Sequence, residues 1–553
     1  MNFREEFMQI KFENGEGAAL GEVSAEGFFP VERKMWEESG NILGIRTFVP
    51  IREVTALWHP LLDRMPEQKL PWTTVFGCGG IKGFPLLVFL DQKARCVSAV
   101  GLTDMMDDCR VSVKMNQASC GYEVAFTLAV CKETEDWEIF ALTPSPEKRP
   151  PLAEVIDQYR KKVLSQIPEY PAGAWESVYC TWYAAHAALS DDFMVRNAEE
   201  ARKLGLGTFI VDDGWCLDES KKVTPETLPD WYRDIGDWEW SEKKLPRLKE
   251  DIEKIQALGL SCMFWVAPFF CGRRSKLAGK ATKFLTELHE GQRVYDPLDV
   301  SAEKCVSENI LRFFREMKLD GLKIDFVDII PPDPEKPRCR AAWNCIHDLT
   351  EKAKAYRKDA LIEFRQNYAT PLMAPVATAF RAGDVPFDYM SNFSRCVQIR
   401  LQMGDGVPVH SDPVYFHPEE SAEAVARHMI AALAGVPMVS MELSTLKEEQ
   451  KKVIAGYLAF YKENRPVLNF GHWDFDFRNN FPVSAFCTQG RKRIVILTDI
   501  DALPGALKKF SGRVTLLNMT TDMLVQPLAV GFDALGRSCG NRIPPGGRGI
   551  FSC

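Results

Sequence analysis

The pattern of apolar and polar positions changes character twice along this chain. Over residues 1 to about 150, short apolar runs alternate with clusters of Gly, Pro, Asn and Asp, and no long helical period intervenes. Runs at 44–49, 86–90, 96–101, 122–130 and 137–142 predict the strands of an antiparallel β-sandwich. Pro144-Ser145-Pro146 and Pro150-Pro151 punctuate its end, and 152–167 then shows helical apolar spacing within a linker over 151–174. From about 175, strands alternate with helices, the pattern of βα units around a parallel sheet. Strands are predicted at 177–183, 207–212, 262–268, 321–326, 360–364, 377–381, 407–411 and 437–441, with helices at 192–204, 248–258, 307–317, 343–356 and 422–434. Eight such units over 175–464 predict a (β/α)8 TIM barrel, with an extra excursion between 271 and 320. Short strands at 483–487, 493–498, 514–519 and 549–551 predict a small C-terminal β-sandwich over 465–553.

Composition narrows the partners. At 553 residues the chain is long enough for two or three domains. Lys and Arg total 68 against 76 Asp and Glu, and the net charge of −8 argues against nucleic acid or an anionic membrane surface. No apolar run is long enough to span a bilayer, and the charged first residues lack the apolar core of a signal peptide. The 16 cysteines are scattered, without CxxC pairs or zinc spacing. Free thiols in a reducing cytoplasm, with no metal and no cofactor, are the expectation. A homo-oligomer is compatible with all of this.

A barrel places its chemistry at the C-terminal strand ends. There the chain carries Thr181-Trp182-Tyr183, Asp212-Asp213-Gly214-Trp215, Trp265 near Pro268, Lys323-Ile324-Asp325, Glu363-Phe364-Arg365-Gln366-Asn367 and Arg381-Ala382-Gly383-Asp384. Lys323 and Asp325, two apart on a strand, share a face. Aromatic rings, carboxylates and cations around one cavity suit a sugar, whose apolar faces stack and whose hydroxyls pair with charged groups. A small oligosaccharide or glycoside is therefore the expected partner.

Three segments in order, Asp212-Asp213-Gly214-Trp215, Gly236-Asp237-Trp238 and Asp320 through Phe326, followed by Arg381 through Asp384, resemble the melibiases of glycoside hydrolase family 36. The family 27 α-galactosidases belong to the same clan. The resemblance implies a retaining α-glycoside hydrolase, most simply an α-galactosidase, with Asp325 as nucleophile and Asp384 as acid/base. It also implies sugar contacts from Trp182, Asp212, Asp213, Trp215, Lys323 and Arg381, to which the strand-end reading adds Trp265, Arg365 and Gln366. Lys323 is expected to lower the pKa of Asp325, and Asp325 to raise that of Asp384. One departure concerns the sugar. Where the family usually has Cys-x-x-Gly-Gly, near the sugar's 2-position, this chain reads Glu363 through Asn367, and Arg365 favours an anionic or substituted glycoside. Other readings of the same residues are a raffinose-synthase-like transglycosylase, a metal-dependent lyase or isomerase using Asp212, Asp325 and Asp384 as ligands, and an inactive carbohydrate-binding protein.

Overall fold

The computed structural model describes residues 7–62, 72–218, 233–279, 284–288, 292–331, 333, 336–479 and 481–553. Its first third holds two antiparallel sheets of six and five strands. Along Ile42–Pro50 every second residue is buried, as a strand with one face on a core requires. That core takes Phe12, Ile45 and Phe126 from the larger sheet and Leu57, Phe89 and Ile139 from the smaller. A short helix, Arg33–Glu37, interrupts them where none was expected. The linker helix is Leu152–Val163.

Next come eight parallel strands: Val178–Cys180, Thr208–Val211, Ser261–Val266, Gly321–Ile324, Leu361–Arg365, Ala379–Arg381, Val409–His410 and Met438–Val439. Each matches an expected strand. They pair in sequence order, the eighth beside the first, and an isolated parallel bridge between His410 and Val436 nearly closes the ring. The second strand, Thr-Phe-Ile-Val, is buried throughout, as parallel strands covered on both faces are. The excursion after the third strand is a three-stranded antiparallel sheet of Phe270–Gly272, Gln292–Tyr295 and Phe284–Leu288.

One boundary differs from expectation in a way that shapes the site. The first strand stops at Cys180, and Trp182–Ala185 is a helical turn. The backbone N–H groups of Tyr183 and Ala184 donate to Ser440 Oγ at 2.9 and 3.3 Å, which overrides their β propensity.

The N-terminal sheets meet the barrel beside its mouth. Gly83 N donates to Asn367 O at 2.9 Å, and Asp107 accepts from Arg340 Nε and Nη2 at 2.9 and 2.6 Å. Asp108 accepts from Cys339 N at 3.0 Å. After the barrel, helix Glu448–Phe470 runs through residue 465. A six-stranded sheet follows, with a separate pair, Leu524–Val525 and Arg542–Ile543. In the larger sheet Lys492–Leu497 and Arg513–Asn518 run parallel. Among the described residues, no helix is long and apolar enough to cross a membrane.

Candidate active site

Register lines up the polar strand ends. Lys323 lies opposite Glu363 on the fifth strand, and Arg365 lies opposite Arg381, itself opposite His410. Alternation then turns Glu363 and Arg365 to one face. The result is a ring of charges at the C-terminal mouth of the barrel.

Two of its members are Asp325 and Asp384. Trp265 Nε1 donates to Asp325 Oδ2 at 3.2 Å, and Phe326 N donates to Oδ1 at 2.9 Å. Phe326 has φ 54°, an unfavourable value for an aromatic residue, immediately after Asp325. Arg365 reaches both carboxylates: Nη1 lies 3.5 Å from Asp325 Oδ1, and Nη2 lies 2.9 Å from Asp384 Oδ2. Its guanidinium also stacks over Phe326, 5.3 Å from the ring centroid. Arg381 likewise spans them, with Nη2 3.9 Å from Asp325 Oδ2 and Nη1 2.8 Å from Asp384 Oδ1. The two arginines differ in access, since the Arg365 side chain is 22% exposed and that of Arg381 only 2%.

This electrostatic arrangement corrects one expectation. Burial pushes the carboxyl of Asp384 up, but Arg381 and Arg365 outweigh it and hold the group below the usual carboxylate range. Asp325 is also held low: burial raises it, and Arg365, Lys323 and Arg381 more than offset that. Both carboxyls are therefore ionised at neutral pH, and the arginines rather than Asp325 set the direction of the shift at Asp384.

Lys323 helps to lower Asp325 as expected, but its direct ion-pair partner is Asp212, just after the second strand, with Nζ 2.5 Å from Oδ2. Cys180 Sγ donates to the same oxygen at 3.0 Å, and Thr181 Oγ1 accepts from Asp212 N. Burial lowers the Lys323 ammonium and Asp212 reverses the effect, leaving it above its ordinary value. Asp213 is buried alongside, its N–H donating to Asp212 Oδ1 at 2.9 Å. Among the described residues, no group of three or more His, Cys, Asp or Glu is disposed to hold a metal ion.

The other expected residues divide. Trp182 is half-buried against the barrel lining of Val178, Cys180, Ile210 and Met263. Trp265 is brought to the site by its bond to Asp325. Gln366 turns away from the opening, its Oε1 accepting from Gly383 N at 2.9 Å and bracing the loop that carries Asp384. Trp215 is not brought to the ring. Gly214, at φ +102° and with no room for a β-carbon beside Ala187, turns the chain. Trp215 then stacks on Phe313 of helix Val300–Glu316 at 4.3 Å and donates to Trp265 O at 2.8 Å. It is core between barrel and helix.

Asp412 was not singled out in the sequence, and Tyr183, Glu363 and His410 were given no role there. Asp412 follows the seventh strand, fully buried, and accepts from Arg381 Nη1 at 2.7 Å and Tyr183 Oη at 2.8 Å. Burial, with the nearby Asp384, pushes its carboxyl up to about 7 although Arg381 opposes this. His410 joins Glu363 Oε2 at 2.8 Å to Ala174 O at 2.9 Å beneath the ring. An acid at the end of another predicted strand was the available signal for Asp412.

A family model described as Melibiase matches residues 155–328. The Escherichia coli α-galactosidase is 30% identical over 113 residues, which is 20% of this chain and 15% of that protein. α-Galactosidase AgaA of Geobacillus stearothermophilus is 21% identical over 321 residues, 52% of this chain and 41% of that one. The matches thus span less than half the length of these curated relatives. Among solved structures, that GH36 AgaA superposes with a TM-score of 0.63 at 13% identity, covering all of this chain and 90% of the other. A variant of it in complex with raffinose gives 0.65 at 12% identity, with the same coverage. The galactosidase domain of the α-galactosidase-sucrose kinase AgaSK gives 0.63 at 14%, with coverages of 100% and 89%. Residues 155–328 thus match the Melibiase family model, and the fold is similar to that of the GH36 α-galactosidases.

Proposed function

We propose that the chain is a retaining α-glycoside hydrolase acting on small α-galactosides. Asp325 attacks the anomeric carbon, and Asp384 protonates the leaving group as acid and then activates water as base. The observation that carries this reading is the sharing of Arg365 and Arg381 by these two carboxylates, from the ends of the fourth and sixth strands. A retaining pair faces across the anomeric carbon at roughly 5–5.5 Å, and residues held to the same guanidinium groups are suited to that. Asp325, ionised and bonded by Trp265, is ready to attack. Asp384 needs a proton first. Sugar binding that draws Arg365 aside removes one of the two charges holding it ionised. Once the glycosyl-aspartate forms, Asp384 as carboxylate activates water. Asp212, Asp213, Lys323 and Arg381 are assigned to the sugar hydroxyls, and Trp182 and Trp265 to its apolar face. The raffinose-bound relative supports an oligosaccharide α-galactoside as substrate. Two β-sandwiches, over 1–150 and 465–553, flank a barrel over 175–464, reached through a linker over 151–174.

A second substrate class has its own support. Arg365 lies across both carboxylates, where the sugar has to enter, and it is the more accessible arginine. A glycoside bearing a carboxylate or sulfate would give its guanidinium a new partner as it leaves the aspartates. Hydrolysis of 4-nitrophenyl α-galactoside, α-N-acetylgalactosaminide, α-glucoside and an α-galacturonide, with and without EDTA, tests both readings. Cleavage of the α-galactoside, lost in Asp325→Ala, is the expected result. Cleavage of the uronide alone would transfer the assignment to anionic sugars. Turnover unaffected by Asp325→Ala would remove the mechanism altogether.

A further inference from the structure

Arg381 Nη1 carries two protons, yet three oxygens lie on it: Ala382 O at 2.9 Å, Asp384 Oδ1 at 2.8 Å and Asp412 Oδ1 at 2.7 Å. Asp384 and Asp412 therefore compete for the same donor. The other oxygen of Asp412 is already occupied, accepting from Tyr183 Oη and from Val385 N, both at 2.8 Å. Val385 is the residue after Asp384, so Asp412 grips the acid's own loop as well as its arginine. Asp412 is itself fixed at the backbone, its N–H and C=O paired with the Asn392 side chain at 2.9 and 2.8 Å.

We propose that Asp412 is a positioning residue for Asp384, holding Arg381 and the Val385 peptide so that the acid is neither locked to its arginine nor free to drift. The proposal rests on the reading of Asp384 as acid/base. Two neighbouring carboxylates dividing one guanidinium each receive less of its charge. Replacing Asp412 by Asn leaves the Nη1 protons of Arg381 to Asp384 and, wherever Asp412 is ionised, takes away a repelling neighbour, so Asp384 holds its proton less well. Several other groups face Asp384. Arg365 and Arg381 pair with it, while Lys323, Asp325 and Tyr183 act on it at longer range. From the helix Tyr389–Met403, Arg395 Nη1 lies 3.3 Å from its backbone oxygen. Asp412 is faced by Arg381, Asp384 and Tyr183, and by Cys396 from the same helix.

The test is the pH profile of kcat, which reports the sugar-bound enzyme, for an α-galactoside in Asp412→Asn, which keeps the shape and cannot ionise. The limb on which activity falls with rising pH should move to lower pH by about one unit. Tyr183→Phe, which removes one donor to Asp412 and makes its ionised form less favourable, should move the limb the same way by less. A uniform loss of rate with an unmoved limb in both variants overturns the proposal, because a structural prop would give that. Absence of turnover by the unsubstituted enzyme is a failure of the hydrolase reading instead. The crystal structure of Asp412→Asn then decides the positioning role: Arg381 and Val385 displaced supports it, and both unmoved refutes it.

Discussion

Arg365 holds Asp384 more closely than it holds Asp325, at 2.9 Å against 3.5 Å. In its proposed role Asp384 works from the protonated form, and this contact opposes that form. Arg365→Ala should therefore raise the pKa of Asp384 and carry the falling limb of kcat/KM to higher pH, by about 1–3 units for loss of an adjacent opposite charge. The profile is measured with an α-galactoside across the acid and neutral range. A limb that stays in place would show that Arg381 alone sets it.

The same depressed pKa has a consequence for folding. Asp384 binds its proton less readily in the folded protein than in the unfolded chain, whose Asp titrates near pH ~3.9. Its ion pairs therefore contribute stability in full above that pH and lose it as the pH falls toward the lower folded value. Urea denaturation of Asp384→Asn should show a shallower loss of stability on acidification than the unsubstituted protein. Parallel curves would mean that the pairing with Arg365 and Arg381 contributes nothing measurable.

Azide separates the two proposed roles. Asp384→Ala should lower kcat by about 10²–10⁴ on substrates with poor leaving groups, the usual range for a lost general acid, and less on 4-nitrophenyl glycosides, whose phenol departs without help. Azide then attacks the glycosyl-enzyme and yields the azide of retained configuration. In Asp325→Ala the azide takes the place of the missing nucleophile and yields the inverted product. Product configuration read by NMR checks the assignment, and the same configuration from both variants would contradict it.

Lys323 and Asp212 form a buried pair, with side chains 6% and 3% exposed. Removing one partner strands the other charge in a low-dielectric interior. Lys323→Met should cost about 3–5 kcal/mol. The double variant Lys323→Met/Asp212→Leu should recover much of that, because no orphan charge remains. Chemical denaturation of the single and double variants measures the difference. Equal losses would place the damage in packing around Cys180 and Thr181.

How much of this was legible follows from where each partner sits. The longer barrel strands stood out because burial on both faces makes them near-continuous apolar runs, as in Ser261–Val266, whereas the last three are only two or three residues long. The first strand was overrun at Thr181-Trp182-Tyr183 because its stop comes from Ser440, on the far side of the sequence. Lys323 was assigned to Asp325 by the period of a strand, which sees its own chain only. The neighbour across the barrel, Asp212, is invisible to it. Asp412 sits in Ser411-Asp412-Pro413, which reads as a turn, and its partners Arg381 and Tyr183 come from two other strand ends.

Trp215 and Trp265 show the same limit for direction, and their substitutions should separate cleanly. Both indoles are essentially buried, but Trp215 packs on Phe313 and Phe264 while Trp265 donates to Asp325. Trp215→Ala empties a site in the core and should cost about 3–5 kcal/mol of stability, with KM close to unchanged in the protein that remains folded. Trp265→Phe keeps most of the volume and removes the N–H, so stability should change by less than about 1.5 kcal/mol. Loss of one hydrogen bond to a carboxylate should raise the pKa of Asp325 and lower kcat. Thermal unfolding and steady-state kinetics on the two variants give the comparison. A KM effect in Trp215→Ala larger than in Trp265→Phe would return Trp215 to the sugar subsite, against its stacking on the outer helix.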